Sequence, residues 1–114
     1  MIKAEFGIVD NIELYTENVY EPELYRCVYI DDDVYISDWW ERLKVMKTYF
    51  HNLNRPAFGL ARWGVTLIPP ESLADFQDIV ISDKRMKDDE HLVALAEKIQ
   101  EAIEGQKYMI HYGA

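Results

Sequence analysis

The chain is poor in cysteine, in basic residues and in long apolar runs, and each shortage excludes a class of protein. The single cysteine, Cys27, leaves no internal disulfide and no zinc site built from paired cysteines. No window approaches the length of apolar sequence that a membrane-spanning helix needs, and the start of the chain lacks the basic and apolar regions of a secretory signal. Together these features predict a protein of the reducing cytoplasm.

Basic residues are scarce, because 12 lysines and arginines face 21 acids, and the formal net charge is −9. A field of this sign repels nucleic acid and anionic lipid, so neither is expected as a partner. Residues 1–38 hold ten acids and two bases, residues 39–68 one acid and five bases, and residues 69–114 ten acids and five bases. The chain is therefore acidic with a basic middle third, and it is expected to attract a basic protein.

Aromatic residues, by contrast, are plentiful: eight Tyr, three Trp and four Phe in 114 residues. Tyr and Trp have an apolar body and a polar tip, so we expect some of them on a recognition surface. The length and the hydrophobic fraction of 49% are those of one globular domain with one core.

Hydrophobic periodicity predicts a single α+β domain over residues 1–114, in the order β-β-α-β-α-α-β. We expect two layers, a mixed sheet of about four strands with the helices packed on one face. Strands are predicted at residues 2–8, 25–30 with a continuation or hairpin at 34–36, 65–68 and 108–112. A short helix is predicted from Pro70. For residues 78–82 the pattern does not decide between helix and strand. A last helix is predicted from Asp88 or Asp89 to a left-handed cap at Gly105.

The first helix has the clearest pattern in the chain. Ser37 or Asp38 is expected to cap it, and Asn54 and Pro56 to end it. Its core stripe has spacings of 4, 3, 4 and 3, formed by Trp39, Leu43, Met46, Phe50 and Leu53.

Two groups in this region are candidate binding residues. A second stripe of the predicted helix carries Trp40, Lys44, Lys47 and His51, which would suit an acidic partner or would simply form a solvated flank. The loop 54–64 adds Arg55, Arg62 and Trp63 beside two glycines. Arginine forks suit carboxylate or phosphate, although here they could equally pair with the chain's own acids while Trp63 packs in the core.

Other chemistry-bearing residues form no recognisable motif. Asp31-Asp32-Asp33 lacks the spacing of a calcium loop and is expected to be a solvated turn rather than a Mg²⁺ or Ca²⁺ site. The three histidines have no ligand spacing, Cys27 is expected to be a buried and inert strand residue, and Ser72 has no nucleophile elbow. No catalytic residue, metal site or cofactor is predicted.

The leading hypothesis is a small acidic protein-binding module, of the kind that immunity proteins and antitoxins exemplify, with residues 10–33 as its contact arm. The alternative is a small-molecule (anion) binding protein or an enzyme that uses the loop 51–63. Self-association into a homo-oligomer is a third hypothesis, because tyrosine-rich strands at a sheet edge are able to pair across a two-fold axis.

Overall fold

The strands of the domain form one antiparallel sheet. The structure is a computed structural model, and it describes residues 1–17 and 20–113. Within these residues the strands, in chain order, are β1 (Lys3–Val9), β2 (Val28–Asp31), β3 (Lys47–Phe50), β4 (Pro56–Phe58), β5 (Val65–Ile68) and β6 (Tyr108–Tyr112). Their order across the sheet is β2-β1-β6-β5-β3-β4, so β6 and β5 are the central pair and β1 lies on the other side of β6.

The α-helices pack on one face of this sheet. In the described part of the chain they are α1 (Ser37–Leu43), α2 (Leu73–Ile81) and α3 (Glu90–Gly105). The main core lies between the helices and the sheet and includes the fully buried Phe6, Leu43, Phe76 and Leu92. None of the helices in the described residues is long and apolar enough to cross a membrane. The expected single α+β domain with helices on one face is confirmed.

The number, pairing and order of the strands differ from the expectation. The described residues contain six strands rather than about four, and every pairing is antiparallel rather than mixed. The order of strands and α-helices is β-β-α-β-β-β-α-α-β. The extra strands are β3 and β4, which form a hairpin where a helix and a loop were predicted.

The first helix is shorter than its hydrophobic stripe. It ends at Leu43, and β3 begins four residues later at Lys47. Thr48 and Tyr49 are β-branched and aromatic, which favours a strand, and Phe50 pairs with Thr66 of β5. This pairing joins residues far apart in the sequence, so local spacing did not reveal it.

The entry to α1 and the end of α3 also differ in detail. Residues 34–36 belong to a π-helical turn (Asp32–Ile36) rather than a strand, and Asp31 caps this turn by accepting a hydrogen bond from the Val34 amide. α1 follows directly, so its N-cap position is Ile36 and neither Ser37 nor Asp38 caps it as predicted. In α3, Asp89 is the N-cap as expected. The left-handed position is Gln106, with φ of 52°, one residue after Gly105.

The other face of the sheet is covered by the turns of the chain between β1 and β2. A second apolar cluster lies there, made of Val9, Tyr25, Leu67, Ile110 and Tyr112. Residues 10–17 and 20–27, which we call the covering segment, connect β1 to β2 and contribute Ile12, Tyr15 and Cys27 to the packing of this cluster. The acidic N-terminal third is thus bound to the sheet.

Candidate functional site

The predicted stripe of Trp40, Lys44, Lys47 and His51 does not form on one helix. Trp40 lies in α1, Lys44 follows its last residue, Lys47 begins β3 and His51 follows β3 in a left-handed conformation with φ of 70°. Lys44 forms an ion pair with Glu41 at 3.0 Å. The four side chains therefore do not share one helix face, because α1 ends at Leu43, before Lys44, Lys47 and His51.

The predicted loop residues Arg55, Arg62 and Trp63 point to different surroundings. The Arg62 guanidinium lies 3.1 Å from an Asp32 carboxylate oxygen and 5.5 Å from the ring centre of Trp40. Trp63 is 73% exposed and so does not pack in the core, and Arg55 is exposed as well. Among the side-chain ion pairs, side-chain hydrogen bonds and ring contacts of the described residues, Trp40 with Arg62 is the one contact that joins two of the seven candidates.

The role of Arg62 is to neutralise a buried acid. Asp32 is 2% exposed, and burial raises the pKa of its carboxyl group while Arg62 lowers it. Removing one partner of such a pair leaves an uncompensated buried charge. The Asp31–Asp33 run is therefore not a solvated turn throughout, and the described residues contain no group of acids, histidines or cysteines that could hold a metal ion.

Hydrogen bonds hold the covering segment on the sheet. The Tyr15 hydroxyl donates to the His51 carbonyl oxygen at 2.9 Å, and the Glu21 amide donates to the Tyr112 hydroxyl at 3.3 Å. The Asn52 side-chain amide donates to a Glu17 carboxylate oxygen at 2.6 Å. These bonds tie the segment to β6 and to the turn after β3.

The segment approaches β1 closely because residue 7 is glycine. The Ile8 amide donates to the Tyr25 carbonyl oxygen at 3.0 Å. A Cβ atom on Gly7 would lie 2.6 Å from that oxygen and 2.7 Å from the Cys27 sulfur, closer than real contacts allow. Only a residue without a side chain fits at this position.

Tyrosines provide most of the aromatic packing between the covering segment and the sheet. Six of the eight belong to this layer, namely Tyr15, Tyr20, Tyr25, Tyr49, Tyr108 and Tyr112. Burial raises the pKa of Tyr15 and of Tyr112 to about 12. The high tyrosine content thus serves largely to pack the segment, and Tyr20, at 63% exposed, is the member that reaches the surface most.

Most acids of the N-terminal third remain unpaired. Of the ten acids in residues 1–38, Asp10, Asp32 and Asp38 form ion pairs with the chain's own bases, and the other seven form none within the described residues. Four of these seven, the fourth being Asp33, are exposed and have no side-chain hydrogen bond in that part of the chain. Three of the four lie in the covering segment: Glu13, Glu21 and Glu23. Their charge is available to an external cation.

Exposed apolar side chains lie among these acids. Leu14 is 77% exposed and Leu24 is 59% exposed. Both line one recess of about 160 Å³, which we call the leucine recess, together with Val9, Tyr15 and Tyr25. Two leucines that are ten residues apart in an acidic segment without periodicity thus meet at one opening, and no spacing rule predicts that meeting.

A second recess uses the same turn of the covering segment. It measures about 210 Å³, and Glu5, Pro22, Glu23 and Cys27 are among its lining residues. Burial and the neighbouring Glu5 raise the pKa of the Cys27 thiol to about 12. The thiol is therefore protonated at neutral pH, which does not suit a nucleophile.

No protein-family model, curated protein sequence or solved structure matches the chain. The chemistry of its own surface is therefore the basis on which a function is inferred.

Proposed function

We propose that the chain is a protein-binding module that binds a basic polypeptide on its covering segment. The supporting observation is that the exposed, unpaired carboxylates of Glu13, Glu21 and Glu23 lie in the same short segment as exposed Leu14 and Leu24. Protein interfaces combine apolar anchors with a polar rim in this way. An acidic rim selects a partner of positive charge.

The charge of the whole chain adds to this selectivity. A net charge of −9, of which −8 belongs to residues 1–38, attracts cationic partners over a distance of about a Debye length. Attraction of this kind raises the association rate more than the affinity, and salt weakens it. Binding by the covering segment is therefore expected to be fast and sensitive to ionic strength.

A small-molecule or enzymatic function at loop 51–63 has less support. The arginines and tryptophan that suggested it diverge, and Arg62 is engaged by Asp32. The two recesses of the covering segment, about 160 and 210 Å³, are smaller than the roughly 300–1,000 Å³ of typical small-molecule sites. They suit single side chains of a larger partner.

A larger recess, of about 470 Å³, lies beside Arg42 and Arg85, and Arg85 is already paired with two acids there. Arg85 lies 2.7 Å from Asp83 and 3.0 Å from Asp38, and its hydrogen bonds hold the pKa of Asp83 far below the usual range. An anionic ligand that binds Arg85 would have to displace these carboxylates, whereas Arg42 and Lys84 of the same recess form no ion pair within the described residues.

A titration with two peptides of equal length tests the proposal. One peptide alternates Lys with Leu, and its counterpart alternates Glu with Leu. We expect the basic peptide to shift the backbone NMR signals of the covering segment, more strongly at low salt, and the acidic peptide to leave them unchanged. Signals that move equally with both peptides, or that move only in the basic middle third, would overturn the proposal.

A charge variant and its matched control make the test specific. Glu13→Gln, Glu21→Gln and Glu23→Gln together are expected to weaken binding of the basic peptide about tenfold at low salt, at roughly 0.5 kcal/mol per exposed charge. The control removes three exposed acids of the helix layer by Asp75→Asn, Asp78→Asn and Glu97→Gln. It has the same net charge, so an equal loss in both variants would show that the location of the acids is unimportant.

A further inference from the structure

Both walls of the leucine recess are held in place by local hydrogen bonds. Leu14 ends a 3₁₀ turn (Ile12–Leu14) that Asn11 caps by accepting from the Glu13 amide at 3.0 Å. The Leu14 amide in turn donates to the Asn11 carbonyl oxygen at 3.0 Å. The turn that carries Leu14, which forms the first wall of the recess, is therefore formed without a bound partner.

The second wall is fixed by the turn that carries Leu24. The Cys27 amide donates to the Pro22 carbonyl oxygen at 2.9 Å, and the Arg26 amide donates to the Glu23 carbonyl oxygen at 3.1 Å. With Arg26 at φ of 54°, this is the hydrogen-bond pattern that closes helices at a left-handed residue. A recess with two preformed walls loses little conformational entropy when it is filled.

The charges around the leucine recess indicate what fills it. Asp10, one of its lining residues, is already engaged by Lys107 at 2.8 Å and by Arg26 at 3.4 Å, and the hydrogen bond from Lys107 holds its pKa below the ordinary value. Glu13 and Glu23 adjoin the wall leucines in the sequence and have no such partner in the described residues. The unpaired charges that adjoin the recess-lining leucines in the sequence are therefore negative.

We propose that the leucine recess receives one apolar side chain of a basic partner, with lysine or arginine next to it in the partner's sequence. This inference rests on the protein-binding function proposed above and assigns it an anchor point. The apolar side chain is buried against Val9, Tyr15 and Tyr25, while the adjacent cation lies against Glu13 or Glu23. An acidic segment with the same anchor would be repelled.

The test compares two lysine-rich peptides that differ only at a central residue, Leu in one and Ala in the other. Burying the additional part of the leucine side chain is worth roughly 1.5 kcal/mol, so we expect the protein to prefer the Leu peptide about tenfold. The methyl signals of Val9 and Leu24 should shift on binding. The methyl signals of Leu92, a residue of α3 buried in the main core on the other face of the sheet, should not.

A variant of the leucine recess and a control distinguish the anchor site from the protein-binding function as a whole. Leu24→Ser should abolish the preference for the Leu peptide and retain the salt-dependent binding of the Ala peptide. Val45→Ser, at another exposed apolar residue, should change neither.

Each remaining outcome identifies which proposal fails. Equal, salt-dependent affinity of the wild-type protein for both peptides would overturn the anchor site and leave the protein-binding function standing. A preference for the Leu peptide that survives Leu24→Ser would likewise overturn the anchor site. If neither peptide binds at low salt, both proposals fail.

Discussion

The fold opposes protonation of His111. Its side chain is 1% exposed, its ring is stacked on Phe6 at 4.6 Å, and its Nδ1 lies 3.2 Å from the Glu5 carbonyl oxygen. Burial lowers the pKa of His111 from 6.5 to about 4, although hydrogen bonds to backbone carbonyls oppose the shift. The folded protein therefore holds His111 neutral at a pH where the unfolded chain binds a proton.

The stability of the fold is expected to depend on this residue below neutral pH. Between about pH 6.5 and pH 4 the unfolded state binds more protons than the folded state, so the free energy of unfolding falls as the pH falls, by up to about 3 kcal/mol. Urea unfolding at a series of pH values between 7 and 5 measures the slope, before most carboxylates titrate.

The matched variant is His111→Gln, which keeps a polar side chain but does not titrate. It should be less stable than the wild-type protein at pH 7 and should show a flatter dependence on pH. An unchanged slope in this variant would mean that another group causes the pH dependence.

At the scale of elements, the covering segment depends on the missing side chain of Gly7. In Gly7→Ala the new Cβ must displace the backbone at Tyr25 or the sulfur of Cys27. Overpacking of this kind costs about 1–3 kcal/mol. We expect the Ile8 amide to lose its hydrogen bond to Tyr25 and to exchange with solvent faster, as hydrogen exchange would measure.

Gly105→Ala is the control for this prediction. An added Cβ at Gly105 would meet only the flexible Lys107 side chain, at 3.3 Å, and alanine favours a helix over glycine. This variant should keep the Ile8 amide protected and should not lower the free energy of unfolding. If Gly7→Ala is equally harmless, the close approach of the segment is not a requirement of the fold.

Elements with their own periodicity were predictable from the sequence, and elements that depend on distant partners were not. Alternation identified β1 and β6, a short run that ends at two prolines identified β5, and the apolar stripe and the Asp89 cap identified α3. The β3–β4 hairpin was not predicted, because the residues of β3 also fit a helical spacing. Only the pairing of β3 with β5 decides between helix and strand.

The candidate site shows the same division. Its seven predicted residues were grouped by a long helix and by the loop that follows it. The helix in fact ends at Leu43, and Arg62 of the loop pairs with Asp32. The acids and the isolated Leu14 and Leu24 are visible in the sequence, but their meeting requires the segment to fold across the sheet. Composition predicts the charge of the proposed partner, whereas the proposed binding place rests on tertiary structure.

At the scale of the whole molecule, the unpaired acids should have two opposite effects. Like charges of the covering segment repel each other in the folded protein, so added salt is expected to raise the free energy of unfolding. The same salt should weaken binding of a basic peptide, because it screens the attraction. Chemical unfolding and peptide titration at matched salt concentrations measure the two effects.

In the variant with Glu13, Glu21 and Glu23 changed to Gln, salt should have a smaller effect on stability and a smaller effect on peptide binding. It should be more stable than the wild-type protein at low salt, by a few tenths of a kcal/mol per charge, with the gain shrinking as salt is added. Salt that lowers stability while weakening binding would contradict this account of the charge.

The central position of β6 has a consequence for synthesis on the ribosome. β6 joins β1 on one side to β5 on the other, with Gly7 opposite Ile110 and Leu67 opposite Ile110. Until residues 108–112 leave the exit tunnel, the nascent chain has two half-sheets with unsatisfied inner edges, and such long-range closure is slow. The domain is thus expected to remain dependent on chaperones, and sensitive to protease, until β6 has emerged.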